Sequence, residues 1–150
     1  MIFEEKEINE ITERVIAKIK EYYILTLKPL TVSNLTNTKQ DTLQYRYEYI
    51  NRSIEFICLL QNFDKGLLQN AKSRKSEIVE MRSIISYLIR KGSKNKVSLR
   101  EIGEQFGGKD HASILYNIRT LEKLMSTDKK LKEKVDWIEK AFIEKVGKLN

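Results

Sequence analysis

Apolar residues recur at steps of three and four along nearly the whole chain, the period of helices with one buried face. Ile8, Ile11, Val15, Ile19 and Tyr22 form the first stripe, with Glu7, Glu10, Arg14, Lys18 and Glu21 turned away from it. They predict an amphipathic helix over residues 5–27 that Lys28-Pro29 ends. Residues 30–42 are rich in Thr and Asn and read as a loop or linker. A second helix is predicted over about 41–61, with Leu43, Tyr47, Ile50, Ile54, Ile57 and Leu60 on its packed side. Tyr45, Tyr47 and Tyr49 also alternate as a strand would, but the helical period continues to Leu60 and decides for helix. A turn at 62–65 and a Leu67-Leu68 anchor lead to the basic loop AKSRK and a long helix over about 76–91, whose core side is Val79, Ile84, Tyr87 and Leu88.

The stretch SLREIGEQFGGKDHASILYNIRTL, residues 98–121, divides into two helices at a pair of glycines. Leu99, Ile102 and Phe106 share one face of the first. Gly107 and Gly108 stand where a left-handed or otherwise permissive backbone is needed. Asp110 can cap the second helix, whose buried face is Ile114, Leu115, Ile118, Leu121 and Leu124. Two helices about a tight glycine turn are the helix-turn-helix arrangement, although the spacing alone also fits an ordinary helical hairpin. A last helix over about 131–146 carries Leu131, Val135, Ile138, Phe142 and Val146, with Trp137 and Lys140 off its main stripe. The expected fold is an all-α helical bundle containing a helix-turn-helix and preceded by additional N-terminal helices. Its expected division is 1–52, a packing or dimerisation region, and 53–150, the helix-turn-helix domain.

Charge shifts the balance between the two readings of the hairpin. Residues 1–64 hold 8 basic and 10 acidic side chains, residues 65–119 hold 12 and 5, and residues 120–150 hold 8 and 6. The middle segment, built around the proposed reading unit, thus carries +7, equal to the formal charge of the whole chain. A localised basic patch over a reading helix is the footprint of a polyanion-binding surface, and a lysine-rich soluble surface is the plainer alternative.

Other classes fall away. The single Cys58 and single His111 leave no disulfide framework and no zinc constellation, so no metal and no cofactor is expected. Acidic pairs such as Glu4-Glu5 and Glu101/Glu104 read as helix-surface charges or partners of a helix N-terminus, and no catalytic residue or enzymatic activity is expected. The opening MIFEEKEIN has acids where a signal peptide needs positive charge, and no apolar run approaches a membrane span. A soluble, cytoplasmic protein without membrane association is expected.

SRKSEIVEMR followed by SLREIGEQFGGKDHASIL resembles the carboxy-terminal DNA-binding domain of DnaA, the bacterial chromosomal replication initiator family. The most specific piece is GGKDHASIL, similar to that family's Gly-Gly-(Arg/Lys)-Asp-His-(Thr/Ala)-(Thr/Ser)-Val-Leu signature. The resemblance covers about residues 54–126 and runs more loosely to 146, while residues 1–50 resemble no family. No GxxxxGK[ST] phosphate loop occurs, so the initiator's nucleotide-hydrolysing module has no counterpart in this sequence.

The resemblance implies a sequence-preferring double-stranded DNA-binding protein acting in replication or its regulation. It implies base contacts from Arg74 in the minor groove and from Asp110, His111, Ala112 and Ser113 in the major groove. Asp110 could accept from a cytosine amino group, serve only as a cap, or do both. Arg90 matches a phosphate-contacting position, and Lys72, Lys75, Lys109 and Arg119 are further backbone candidates because such contacts need only charge and reach.

Three departures stand out. Arg100 replaces a frequent proline and adds a phosphate candidate. Tyr116 replaces a usual histidine and, with Asn117, is a candidate for base or backbone contact. KGSKNKVS is about two residues longer than the family's connection. The DNA target therefore need not be the initiator's own. Homodimerisation through the N-terminal helices and contact with replication proteins are additional expected partnerships. The competing reading is a protein-interaction or assembly module that keeps the fold without specific DNA reading.

Overall fold

The computed structural model describes residues 5–26, 39–70 and 72–149. Among them are six α-helices and no strand: α1 (Glu5–Thr26), α2 (Lys39–Leu60), α3 (Ser76–Gly92), α4 (Leu99–Gln105), α5 (His111–Thr127) and α6 (Lys129–Lys145), with a 3-10 turn at Lys65–Gln69. The expected all-α architecture is observed. Pro29 and most of the predicted linker lie outside the described residues, and α2 begins at Lys39, inside that linker's expected range. Two compact units divide after Asn37. The expected division at 52/53 instead falls inside α2, which crosses it unbroken and buries Tyr49, Ile50, Ser53 and Ile54.

The first unit contains α1. Ile8 and Ile11, read as an apolar stripe, are 50% and 49% exposed. The side chains of Ile19 and Tyr22 on the same stripe lie outside the described residues.

The second unit is organised around α3, which packs against α2, α4, α5, α6 and the 3-10 turn. It is buried on more than one side: Ile78, Met81, Ile84, Ile85, Leu88 and Ile89 are all within the core, as are Ser83 and Ser86. Val79 and Tyr87, expected in the core stripe, are only half-buried. On one side of α3, Ile102, Phe106, Ile114, Ile118 and Leu121 join the helix-turn-helix to the core. On the other, Tyr49 of α2 meets Phe142 of α6 edge to face, with ring centroids 6.2 Å apart. The Leu149 N–H donates to the Gly92 carbonyl at 3.0 Å, tying the C-terminal segment to the end of α3.

Several expected core positions lie outside it. Leu43, Leu67 and Leu124 are 39%, 45% and 49% exposed, and Leu68 alone is the buried anchor. Trp137, off the main stripe of α6, is exposed. Burial pushes the Cys58 thiol up to about 12, so it behaves as a small core hydrophobe rather than a reactive group.

A polar latch joins α2 to α4. Arg46 Nε donates to Glu101 Oε1 at 2.9 Å, and the Tyr47 hydroxyl donates to Glu104 Oε2 at 2.7 Å. Glu101 also closes a capping box: Ser98 N–H donates to Oε2 at 2.7 Å, and Glu101 N–H donates to the Ser98 hydroxyl at 3.1 Å. Glu101 is therefore a buried structural carboxylate, not a surface charge. Burial raises its pKa, but the Ser98 and Arg46 donors outweigh that and hold it below the ordinary value. A depressed folded-state pKa stabilises above the unfolded value and is lost as pH falls through the folded one. Acid should therefore loosen the α2–α4 junction. In urea titrations, stability should fall from pH 5 to pH 3 in the wild type and fall less steeply in Glu101→Gln.

Candidate nucleic-acid interface

The turn between α4 and α5 is built on one carbonyl. Gly103 O accepts from Phe106, Gly108 and Lys109 N–H at 3.1, 3.1 and 2.9 Å. Gly107 and Gly108 take φ of +75° and +82°, the left-handed conformation anticipated for them. Asp110 then caps α5, its Oδ1 accepting from Ser113 N–H at 2.7 Å. That bond from Ser113 holds the Asp110 carboxyl below its usual range, so it is an anion at the mouth of the helix. The cap role is realised.

From this start α5 presents an outward face. His111 and Ala112 are exposed in its first turn, Ser113 is half-buried, and Tyr116 one turn later is 70% exposed. Asn117 is half-buried towards the side of the helix, and Arg119 is exposed. His111, Ala112, Tyr116 and Arg119 thus form the free surface of a helix whose other side, Ile114, Ile118 and Leu121, is fixed in the core.

The loop before α3 exposes Lys72, Arg74 and Lys75. It approaches the start of α5: burial, then the fields of Arg82 and Arg74, lower the Lys109 pKa. The two segments predicted to act together are therefore near neighbours although 35 positions separate Arg74 from Lys109.

A groove of about 520 Å³ flanks α5 on the other side, lined in part by Arg90, Lys91, Lys94, Leu99 and Arg119. It brings Arg90 and Arg119 together and adds two lysines that were visible only as parts of a basic turn. Arg90 has a structural duty here, its Nη1 donating to the Asn95 and Val97 carbonyls at 3.2 and 2.7 Å. It holds the longer connection, in which Lys94 and Asn95 adopt φ of +51° and +64°. Arg100 stands apart on α4, 86% exposed by side chain, with a loose i,i+4 pair to Glu104 at 3.5 Å.

One buried residue of the basic segment carries no periodic signal. Arg82, counted only as part of the basic segment, is 1% exposed and bonded to the backbone of the basic loop. Among the described residues no group of His, Cys, Asp and Glu is placed to hold a metal ion, and no helix is long and apolar enough to cross a membrane.

Comparison with known proteins agrees with this geometry. The family model for the bacterial DnaA protein helix-turn-helix matches residues 54–121. The chain is 31% identical over 135 residues to the chromosomal replication initiator protein DnaA of Campylobacter concisus (strain 13826), covering 89% of this chain and 30% of that protein. The DnaA of Rickettsia akari (strain Hartford) is 28% identical over 137 residues, 85% of this chain and 27% of its own. That of Geobacter sulfurreducens is 40% identical over 70 residues, 47% of this chain and 15% of its own. The chain spans less than a third of the length of these relatives. No solved structure matches. Residues 54–121 are a helix-turn-helix domain homologous to that of DnaA.

Proposed function

We propose that this chain is a non-enzymatic cytoplasmic protein that binds double-stranded DNA with a sequence preference, in replication or its regulation and in contact with replication proteins. The start of α5 enters the major groove, and the 72–75 loop enters the adjacent minor groove. The observation that carries this reading is the glycine-turned, Asp110-capped start of α5, with His111 and Ala112 exposed beside Lys109 and the arginine loop. A helix anchored on one side and polar on the other at its first turn is the geometry that reads base edges. His111 donates to or packs on a base edge, Ala112 meets a thymine methyl, and Ser113 reaches a phosphate or a base. Asp110 keeps one oxygen on its cap and offers the other to a cytosine amino group. Tyr116 and Asn117 extend the contact one turn. Arg74 occupies a narrow A·T-rich minor groove, and Lys72, Lys75, Arg90, Arg100, Lys109 and Arg119 meet phosphates.

Selection of duplexes from a random pool, followed by competition between the selected sequence and random DNA, tests the reading. A preference of several hundredfold or more supports it; equal affinity for the two pools rejects it. Within the selected site, His111→Ala should relax discrimination at about one base pair, costing roughly 1–3 kcal/mol there and little elsewhere. Fluorescence anisotropy on single-substitution duplexes measures both.

The same reading includes a homodimer through α1. Its half-exposed Ile8 and Ile11 form an apolar strip, with Glu5, Glu7, Glu10 and Glu13 towards one end and Arg14, Lys18 and Lys20 towards the other. An antiparallel pair would set each acidic half against a basic one. Light scattering at tens of micromolar, without DNA, should give twice the mass of the chain; a strict monomer would remove the dimer from the proposal.

A further inference from the structure

Arg82 is among the largest fully buried side chains of the protein, and its guanidinium is spent on the backbone of one loop. Nε and Nη2 donate to the Leu68 carbonyl at 3.0 and 2.9 Å, Nη1 donates to the Ser73 carbonyl at 3.0 Å, and Nη2 donates also to the Asn70 carbonyl. Leu68 lies within the 3-10 turn, while Asn70 and Ser73 lie in the segment joining it to α3, from which Lys72, Arg74 and Lys75 project. Taking a guanidinium out of water is costly, and burial lowers its pKa accordingly. Tying the 3-10 turn and the basic segment after it to α3 is what the cost secures. The planar fork suits the task, because it presents several donors in fixed directions to separate acceptors, whereas a lysine ammonium is a single point.

We propose that Arg82, though it touches no DNA, is a positioning residue that holds residues 68–70 and 72–75 in place and so delivers Arg74 into the minor groove. This rests on the minor-groove role of Arg74 proposed above. Without the fork the loop keeps its charge but loses its aim. Non-specific attraction then persists while the reading at that end of the site is lost. The contribution of α5 is retained, because α5 is held by Ile114, Ile118 and Leu121 and by the Gly103 turn, not by Arg82.

The test uses the whole chain and the selected duplex, with the base pairs at the Arg74 end changed from A·T to I·C or G·C. Inosine–cytosine lacks the minor-groove amino group that marks G·C, so it separates minor-groove from major-groove reading. Wild type should bind A·T and I·C alike and G·C about tenfold more weakly. In Arg82→Lys that ratio should fall to about one, while base-pair penalties under α5 stay within about twofold of wild type. Adding Arg74→Ala to Arg82→Lys should cause no further loss, although Arg74→Ala alone flattens the same end. A second variant, Asn70→Gly, loosens the loop from its exposed side and should produce the same one-ended flattening, which keeps the test decisive if Arg82→Lys does not fold. Additive losses, flattening at both ends, or an unaltered ratio in whichever variant folds would overturn the proposal. If wild type itself shows no such ratio, or Arg74→Ala leaves it unchanged, the minor-groove reading fails and takes this proposal with it. A wild-type ratio that Arg74→Ala abolishes and the loop variants preserve sinks this proposal alone.

Discussion

Replacing Gly103 by alanine is expected to destabilise the second unit by about 2–3 kcal/mol, although a simple helix argument gives the opposite sign. Gly103 lies within α4, where alanine in place of glycine ordinarily gains about 1 kcal/mol. The turn reverses that. A β-carbon at 103 would collide with the carbonyl oxygen of Lys109 and lie 3.0 Å from its carbonyl carbon. Those atoms belong to the backbone of the turn that Gly103 O itself organises, and they cannot rotate away as a side-chain end would. Relief requires moving the 106–109 turn, which also carries Asp110 and hence the cap and aim of α5. Urea denaturation should show a lower midpoint with an unchanged slope, and the melting temperature should fall by roughly 10 °C. Sequence-preferring DNA binding should weaken even at temperatures where the variant is fully folded. An alanine variant as stable as wild type would mean that the close approach of α4 and the turn is not a requirement of the fold.

What could be read in advance was local. The helical period placed every helix, and the glycine pair with the following aspartate placed the turn and the cap, because φ preference and capping act within a few residues. Periodicity marks a face but not which of its positions another element covers: Leu43 and Leu124 fit their stripes and remain outside the core. Contacts between distant segments left no trace in the pattern. Arg46 reaches Glu101 across 55 positions, so Glu101 looked like a surface acid. The latch residues Arg46 and Tyr47 likewise precede residues 54–121, the span of the helix-turn-helix family model, but hold its first short helix. Arg82 was indistinguishable by type from the arginines around it. Its burial is set by carbonyls 9, 12 and 14 positions away, which only the folded loop brings to it. Arg82 and Glu101 are both buried, so residues 65–119 lose one charge of each sign at the surface and their net +7 stands.

That charge makes salt the strongest lever on the proposed function. Each phosphate neutralised contributes about −0.9 to the slope of log affinity against log salt, so six contacts give a slope near −5 and a loss of about 10³ between 50 and 200 mM. The six candidates are not equivalent. Lys72, Lys75 and Arg119 are exposed, and Lys109 is half-buried beside other cations, with its charged form disfavoured chiefly by burial and then by Arg82 and Arg74. A phosphate there would relieve that repulsion. Arg100 must surrender its pair with Glu104, an exposed i,i+4 contact worth only about 0.3–0.5 kcal/mol. Arg90 is partly committed to the Asn95 and Val97 carbonyls and has the least to give. A slope between about −4 and −5 is therefore expected. Lys109→Gln and Arg119→Gln should each reduce it by about 1 and weaken selected and random duplexes alike, whereas His111→Ala should leave the slope unchanged and lower only the preference. Titrations of anisotropy at several salt concentrations separate the two effects. Binding that ignores salt, or a slope that His111→Ala changes as much as Lys109→Gln does, would contradict the assignment of phosphate contacts to the loop and groove cations and of base contacts to the start of α5.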